Sequence, residues 1–230
     1  MAGVSRLQYR NEIRLIRVMC TGRIDLEFIL RAFSNGQDGV FVGGCRLGEC
    51  NYITHGNYHA LNMVLLCKKI MEHIGLNPER LRIEFMSSGD GIILSQVIND
   101  FSKNVKELGP LGTSEGIDQN ALKFKLEAVR NLIPYIKLVE RERLRFAEQS
   151  EEACREFFKS EELDRLFNEL IADKLAISQI TMLLREKPLA TGEISETLGL
   201  SPSEVSKHMN ISSRQGLVRY DESRKCYALT

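Results

Sequence analysis

The sequence predicts an α/β domain with a Rossmann-like parallel sheet over residues 1–108, a linker and helical connector over 109–160, and a winged helix-turn-helix domain over 161–230. Three observations predict this. In the first part, short apolar runs alternate with helical faces, the pattern of parallel strands joined by crossover helices. Gly109-Pro110-Leu111-Gly112-Thr113-Ser114-Glu115-Gly116 then breaks that alternation. Near the end, Ser201-Pro202-Ser203-Glu204 forms a capping box with proline at the first helical position, and Gly199-Leu200-Ser201 separates that helix from the one before it.

The elements follow in order. Val4, Leu7 and Tyr9 read as the tail of a helix, and Ile13 to Met19 as a buried strand ending at Cys20. Asp25 is placed to cap a helix whose Leu26, Ile29, Leu30 and Phe33 share one face before Asn35-Gly36 stops it. Gly39 to Gly44 reads as a second buried strand, leading into Cys45. Met63, Leu66, Cys67, Ile70, Met71 and Ile74 make the buried face of a helix ended by Gly75. Leu81, Ile83 and Phe85 alternate with Arg82 and Glu84, as on an edge strand, and a helix follows Asp90. Three parallel strands are a sparse sheet, so a first strand is expected upstream of Met1.

Beyond the linker, Leu122, Leu126, Val129, Ile133, Ile136 and Val139 mark a helix that Pro134 is expected to kink or divide. Glu140-Arg141-Glu142-Arg143 reads as a solvated face. Helices are expected over 161–174, 176–186, 193–198 and from Ser201 to about Gln215, followed by a hairpin of Leu217 to Tyr220 and Cys226 to Leu229.

Lysine plus arginine and aspartate plus glutamate both total 31, so net charge does not point to nucleic acid. No run of about 18 apolar residues and no secretion signal is found, so no membrane partner is expected and a cytoplasmic location is. Six cysteines in such a chain read as thiols or metal ligands rather than a disulfide framework.

Cys20 and Cys45 stand at the ends of predicted strands and Cys50 lies five residues further on, where α/β sheets gather ligands. Gly43, Gly44 and Gly48 would let backbone amides approach sulphur. Spacing alone leaves two readings open: a metal or cluster site, or buried small hydrophobes. Cys67, Cys154 and Cys226 read as inert. His55 and His59 could replace a ligand but read as loop residues. In the C-terminal part, Ser203, Lys207, His208 and Arg214 are candidates for DNA contact. Against this, residues 185–230 hold seven basic and six acidic side chains, and winged helices also dock proteins.

The runs Ala2-Gly3-Val4-Ser5-Arg6-Leu7-Gln8-Tyr9, Arg17-Val18-Met19-Cys20-Thr21-Gly22-Arg23, Phe28-Ile29-Leu30, Ala32-Phe33, Gly39-Val40, Gly44-Cys45, Gly48-Glu49-Cys50 and Gly56-Asn57-Tyr58 resemble the methyl-viologen-reducing hydrogenase delta subunit family. The resemblance covers about the first 108 residues. It implies a two-iron two-sulphur cluster with Cys20, Cys45 and Cys50 on the family's ligand positions. It further implies electron relay from a hydrogenase, or another electron-donating module, to the flavin subunit of heterodisulfide reductase. Such a chain would be one component of an oxidoreductase complex and would not act catalytically alone.

Two departures stand out. The family's opening strand and Cys-x-x-Cys pair are not found in this sequence, so the ligand set is incomplete, and the winged helix is not part of the family's core domain. The alternative is a redox-sensing winged-helix transcription regulator acting on DNA.

Overall fold

The computed structural model describes residues 8, 10–52, 55–146 and 148–230. The helix tail expected around Val4, Leu7 and Tyr9 lies outside the described residues.

Asp25 caps α1 (Leu26–Ser34), its carboxylate accepting the Glu27 amide at 3.0 Å. Strand β1 (Val40–Gly44) leads to the Cys45–Cys50 loop and to α2 (Asn57–His73). Strand β2 (Leu81–Phe85) pairs with β1 in parallel, Val42 opposite Ile83, and α3 (Gly91–Leu108) follows. Side chains alternate across this two-stranded sheet as the pleat requires. Val42 is buried with α1 and α2, whereas Phe41 meets Phe101 of α3 with ring centroids 5.7 Å apart. Helices therefore cover both faces, as a parallel pair demands.

The expected strand Ile13 to Met19 is not one. The segment joins no ladder, and Leu15, Ile16 and Met19 are 68%, 86% and 92% exposed. Apolar, β-prone composition reports only that a segment would suit a sheet; pairing makes it a strand, and among the described residues nothing pairs with it.

The expected linker is not a loose tether either. Arg80, fully buried, donates to the carbonyls of Leu108, Gly109 and Pro110 at 2.8–3.2 Å and forms a fork with Glu115 at 2.6 and 3.1 Å. That guanidinium draws residues 108–115 against the sheet end. Helix α4 (Gln119–Val139) then shares the core of the α/β part through Leu122, Leu126, Val129, Ile133 and Ile136.

Pro134 does not divide α4. It sits on the exposed face, so the carbonyl of Arg130 that loses its amide partner also faces outward, where water can satisfy it. The helix continues into a π-helical turn, Glu140–Leu144, that carries Glu140 inward to 4% exposure. The solvated face expected there is thus wrong for Glu140: widening the turn rotates that side chain into the core.

Helices α5 (Glu151–Phe157) and α6 (Glu161–Phe167) begin at Ser150 and Ser160, each hydroxyl capping an amide three residues on. Helix α7 (Asp173–Glu186) places Leu175 in the first core and Ile180 and Leu184 in a second. That second core gathers α8 (Thr191–Leu198), α9 (Pro202–Arg214) and the antiparallel pair β3 (Val218–Asp221) and β4 (Cys226–Leu229). Gly199 ends α8 at φ +67°, and Ser201 and Glu204 make the capping box of α9. The arrangement is consistent with a winged helix. No described helix is long and apolar enough to cross a membrane.

Candidate functional site

The thiol cluster is assembled by backbone at the carboxyl end of β1. Thr21, buried beside Gly44, donates its hydroxyl to the Gly43 carbonyl at 3.2 Å. This bond ties the 3₁₀ turn Thr21–Arg23, and Cys20 ahead of it, to the strand from which Cys45 emerges. A hydroxyl can do this because the Gly44 carbonyl turns towards β2, where it accepts the Met86 amide, so that of Gly43 faces the opposite edge of β1.

Beyond Cys45, a turn closes from the Glu49 amide to the Arg46 carbonyl at 3.1 Å, with Gly48 at φ +83°. Arg46 pairs with Asp90 at 2.7 Å, tying this loop to the start of α3. Asn57, buried at the first turn of α2, donates its side-chain amide to the carbonyls of Cys45 and Arg46 at 3.0 and 2.7 Å and reaches Cys45 Sγ at 3.6 Å.

The packing leaves little freedom. A Cβ on Gly56 would lie 2.3 Å from Cys50 Sγ, and one on Gly22 would lie 1.8 Å from the His55 carbonyl oxygen. Glycines here permit the approach of one chain segment to another, and of backbone to sulphur.

Cys20, Cys45 and Cys50 interact with one another. Burial, followed by the hydrogen bond and negative charge of Cys50, holds the Cys45 thiol above its ordinary pKa. For Cys50, burial pushes upward, but the amides of Tyr52 and Asn57 and the thiols of Cys45 and Cys20 outweigh it, and the net direction is down. Cys50 therefore forms a thiolate more readily than Cys45. By contrast, burial pushes Cys67 up to about 12 and Cys154 up to about 11, as inert core thiols should behave.

The residues fit an iron-sulphur centre in part. Three thiols gather at one sheet end, amide donors face the Cys45 and Cys50 sulphurs, and glycine leaves the space a side chain would fill. The three thiols do not themselves make a ligand set: among the described residues, no group of three or more His, Cys, Asp or Glu side chains is arranged to hold a metal ion. His55 and His59 do not complete it. Their rings lie edge to face, 5.9 Å apart, and His59 faces Glu140 in a neighbouring cleft.

Thr21 and Asn57 lie within the motifs Thr21-Gly22 and Gly56-Asn57-Tyr58, but nothing in the sequence shows their hydrogen bonds. Glu140 gives no signal at all, because it stands in a run of alternating charge.

In the second core, Ser203 and Arg214 are exposed on α9. Lys207 is also exposed but reaches back to Asp173 at 2.9 Å. His208 is 4% exposed and packs inward, so it cannot contact a base edge. Helical spacing explains the correction: His208 lies on the stripe of Val205, Met209 and Ser212 that faces the core.

Residues 1–109 match the family described as methyl-viologen-reducing hydrogenase, delta subunit, and residues 178–220 match the one described as bacterial regulatory protein, arsR family. The chain is 43% identical over 110 residues to the F420-non-reducing hydrogenase iron-sulfur subunit of Archaeoglobus profundus, covering 48% of this chain and 80% of that relative. It is 42% identical over 114 residues to the vhc F420-non-reducing hydrogenase iron-sulfur subunit of Methanococcus voltae, covering 50% of this chain and 78% of that protein. It is also 44% identical over 113 residues to one subunit of the ferredoxin/F(420)H(2)-dependent CoB-CoM heterodisulfide reductase of Methanosarcina acetivorans, covering 49% of this chain but only 14% of that much longer protein.

Proposed function

The chain belongs to the methyl-viologen-reducing hydrogenase delta subunit family, and on that premise we propose that it is an electron-transfer subunit of a hydrogenase or heterodisulfide reductase system. The observation that carries this reading is the convergence of Cys20, Cys45 and Cys50 at one sheet end, within the region that matches relatives named iron-sulfur subunits. Cys20, Cys45 and Cys50 would hold a two-iron two-sulphur cluster, with a further ligand supplied from elsewhere. When bound, such a group supplies one-electron storage and release.

The chain's own part is positional. Thr21 fixes the approach of Cys20 to β1, and Asn57 holds the Cys45 loop. The Tyr52 and Asn57 amides stabilise negative charge on Cys50. The parallel pairing of β1 and β2, covered on both faces, supports a Rossmann-like origin for this part. On this reading the partners are a hydrogenase or other electron donor, together with the flavin subunit of heterodisulfide reductase, and the location is the cytoplasm.

Anaerobic reconstitution of the full chain with iron and sulphide tests the reading. Bound iron and visible charge-transfer absorption that both fall in Cys45→Ser and Cys50→Ser are expected. Iron uptake that ignores those substitutions, or no uptake, refutes it.

The arsR-family match over residues 178–220 favours a second reading, a redox-sensing regulator that contacts DNA through Ser203, Lys207 and Arg214. The Lys207 pair with Asp173 and the inward His208 weigh against it. Salt-dependent DNA binding by the full chain, lost in Arg214→Ala, supports the regulator; no shift at low salt removes it.

A further inference from the structure

Beside the thiol loops, a cleft of about 500 Å³ opens between the first turns of α2 and the end of α4. Met63, Pro134 and Leu138 line an apolar wall. The remaining lining holds four cations, Arg23, Lys137, Arg141 and Arg145, against Asp25 and Glu140; Lys137 is paired with Asp25, and Arg141 with Glu142 beside the cleft at 2.8 Å.

The two carboxylates differ. Asp25 is fully engaged, one oxygen capping α1 and the other accepting from Lys137. Glu140 is 4% exposed, and its Oε1 has no hydrogen-bond partner. His59 Nδ1, also buried and without a hydrogen bond, stands 3.8 Å from that oxygen, too far for the two to satisfy each other. Burial, then the charges of Arg145 and His55, depresses the His59 pKa. Burial raises that of Glu140 against the pull of Arg145 and Arg141, so the two do not form an ion pair near neutrality.

Buried polar atoms left without partners cost about 1–3 kcal/mol each, and two such atoms lining one cleft call for a common third partner. The volume is that of a small-molecule site. Its charge excess selects an anion, and its inner end offers a carboxyl and an imidazole for hydrogen bonding.

We propose that this cleft binds a small molecule bearing an oxyanion, a phosphate or a carboxylate, held by Lys137, Arg141 and Arg145 and hydrogen-bonded at its inner end to Glu140 and His59. The site does not depend on the electron-transfer reading. Its walls do adjoin the thiol loops: Arg23 and Asp25 follow Cys20, and His59 lies nine residues after Cys50. An occupant would therefore brace the segments that present those thiols.

The full chain, metal-free and reduced, is titrated with inorganic phosphate and separately with succinate, ionic strength being held constant with sodium chloride. Thermal unfolding and the imidazole NMR signals of His55 and His59 are followed. Saturable stabilisation by either anion, with a shift of the His59 ring, is expected; the more effective anion identifies the class.

At ten times Kd the folded population should gain about tenfold. Lys137→Met and Arg141→Met should each weaken binding at least fivefold, whereas Lys187→Met, remote from the cleft, should not. Either variant is enough, should the other fold poorly. Absence of saturation with both anions, or equal response in the cleft variants and in Lys187→Met, overturns the proposal.

Discussion

Replacing Glu115 with glutamine tests whether Arg80 holds the segment after α3 in place. Arg80 is 0% exposed and Glu115 4% exposed in their side chains, and their fork has contacts of 2.6 and 3.1 Å. Glu115 also accepts from the Asn77 amide at 3.1 Å and the Ser114 hydroxyl at 2.9 Å. Burial alone would raise its pKa, but the Arg80 hydrogen bonds, the Asn77 amide, the Ser114 hydroxyl and the Arg80 charge bring it down from 4.5 to about 2.

A move of that size corresponds to about 3 kcal/mol of folding stability. Because the folded-state pKa is depressed, this stability is fully present above the unfolded pKa of about 4.5 and is lost as pH falls towards 2. Glu115→Gln should therefore lower unfolding free energy by about 3–5 kcal/mol at pH 7, the usual cost of breaking a buried pair. The two proteins should converge as pH approaches 2.

Substituting both partners by apolar residues should not restore stability. The carbonyls of Asp38, Leu108, Gly109 and Pro110 all depend on the same guanidinium. Urea unfolding followed by far-ultraviolet circular dichroism at pH 7, 5 and 3 measures the effect, the chain having no tryptophan. A loss below about 0.5 kcal/mol at pH 7, or one that does not shrink with falling pH, would falsify this account.

Three further outcomes are expected. Glu140 is buried with its folded-state pKa raised, so its stabilising contribution is present below about pH 4.5 and fades as pH climbs through the folded value. Glu140→Gln should consequently melt higher than the wild type at pH 8, and a lower melting temperature there would count against the assignment. In the reduced, metal-free protein, iodoacetamide near pH 7.5 should alkylate Cys50 faster than Cys45, leaving Cys67 and Cys154 untouched until urea is added; peptide mapping decides the order. Asn57→Ala should cost about 1–3 kcal/mol by orphaning the Cys45 and Arg46 carbonyls and should quicken Cys45 labelling. Unchanged stability and labelling would show that the loop is held otherwise.

Much of the fold was legible because it is written in local chemistry. Asp25 before an amphipathic run, Gly75 after another, and the Ser201–Glu204 box mark helix ends whose amides and carbonyls need partners wherever the chain folds. The thiols of the candidate site were legible for a similar reason: Cys45 and Cys50 flank a glycine-rich turn directly after a strand. Ile13 to Met19 was misread because a strand is a relation between segments, and composition does not report whether a neighbour is there. His208 was misread because one turn of α9 carries both exposed and core-facing positions.

What the sequence by itself determined is the order of helices and turns and the family of the first 109 residues. Tertiary structure alone decided that Arg80 draws the glycine-rich segment after α3 onto the sheet end. It likewise decided that Thr21 bonds to the Gly43 carbonyl and Asn57 to that of Cys45, and that Glu140 turns inward from a charged run to face His59. Each of these is a contact between residues distant in the chain. Its energy depends on desolvation and on partners that local sequence does not contain.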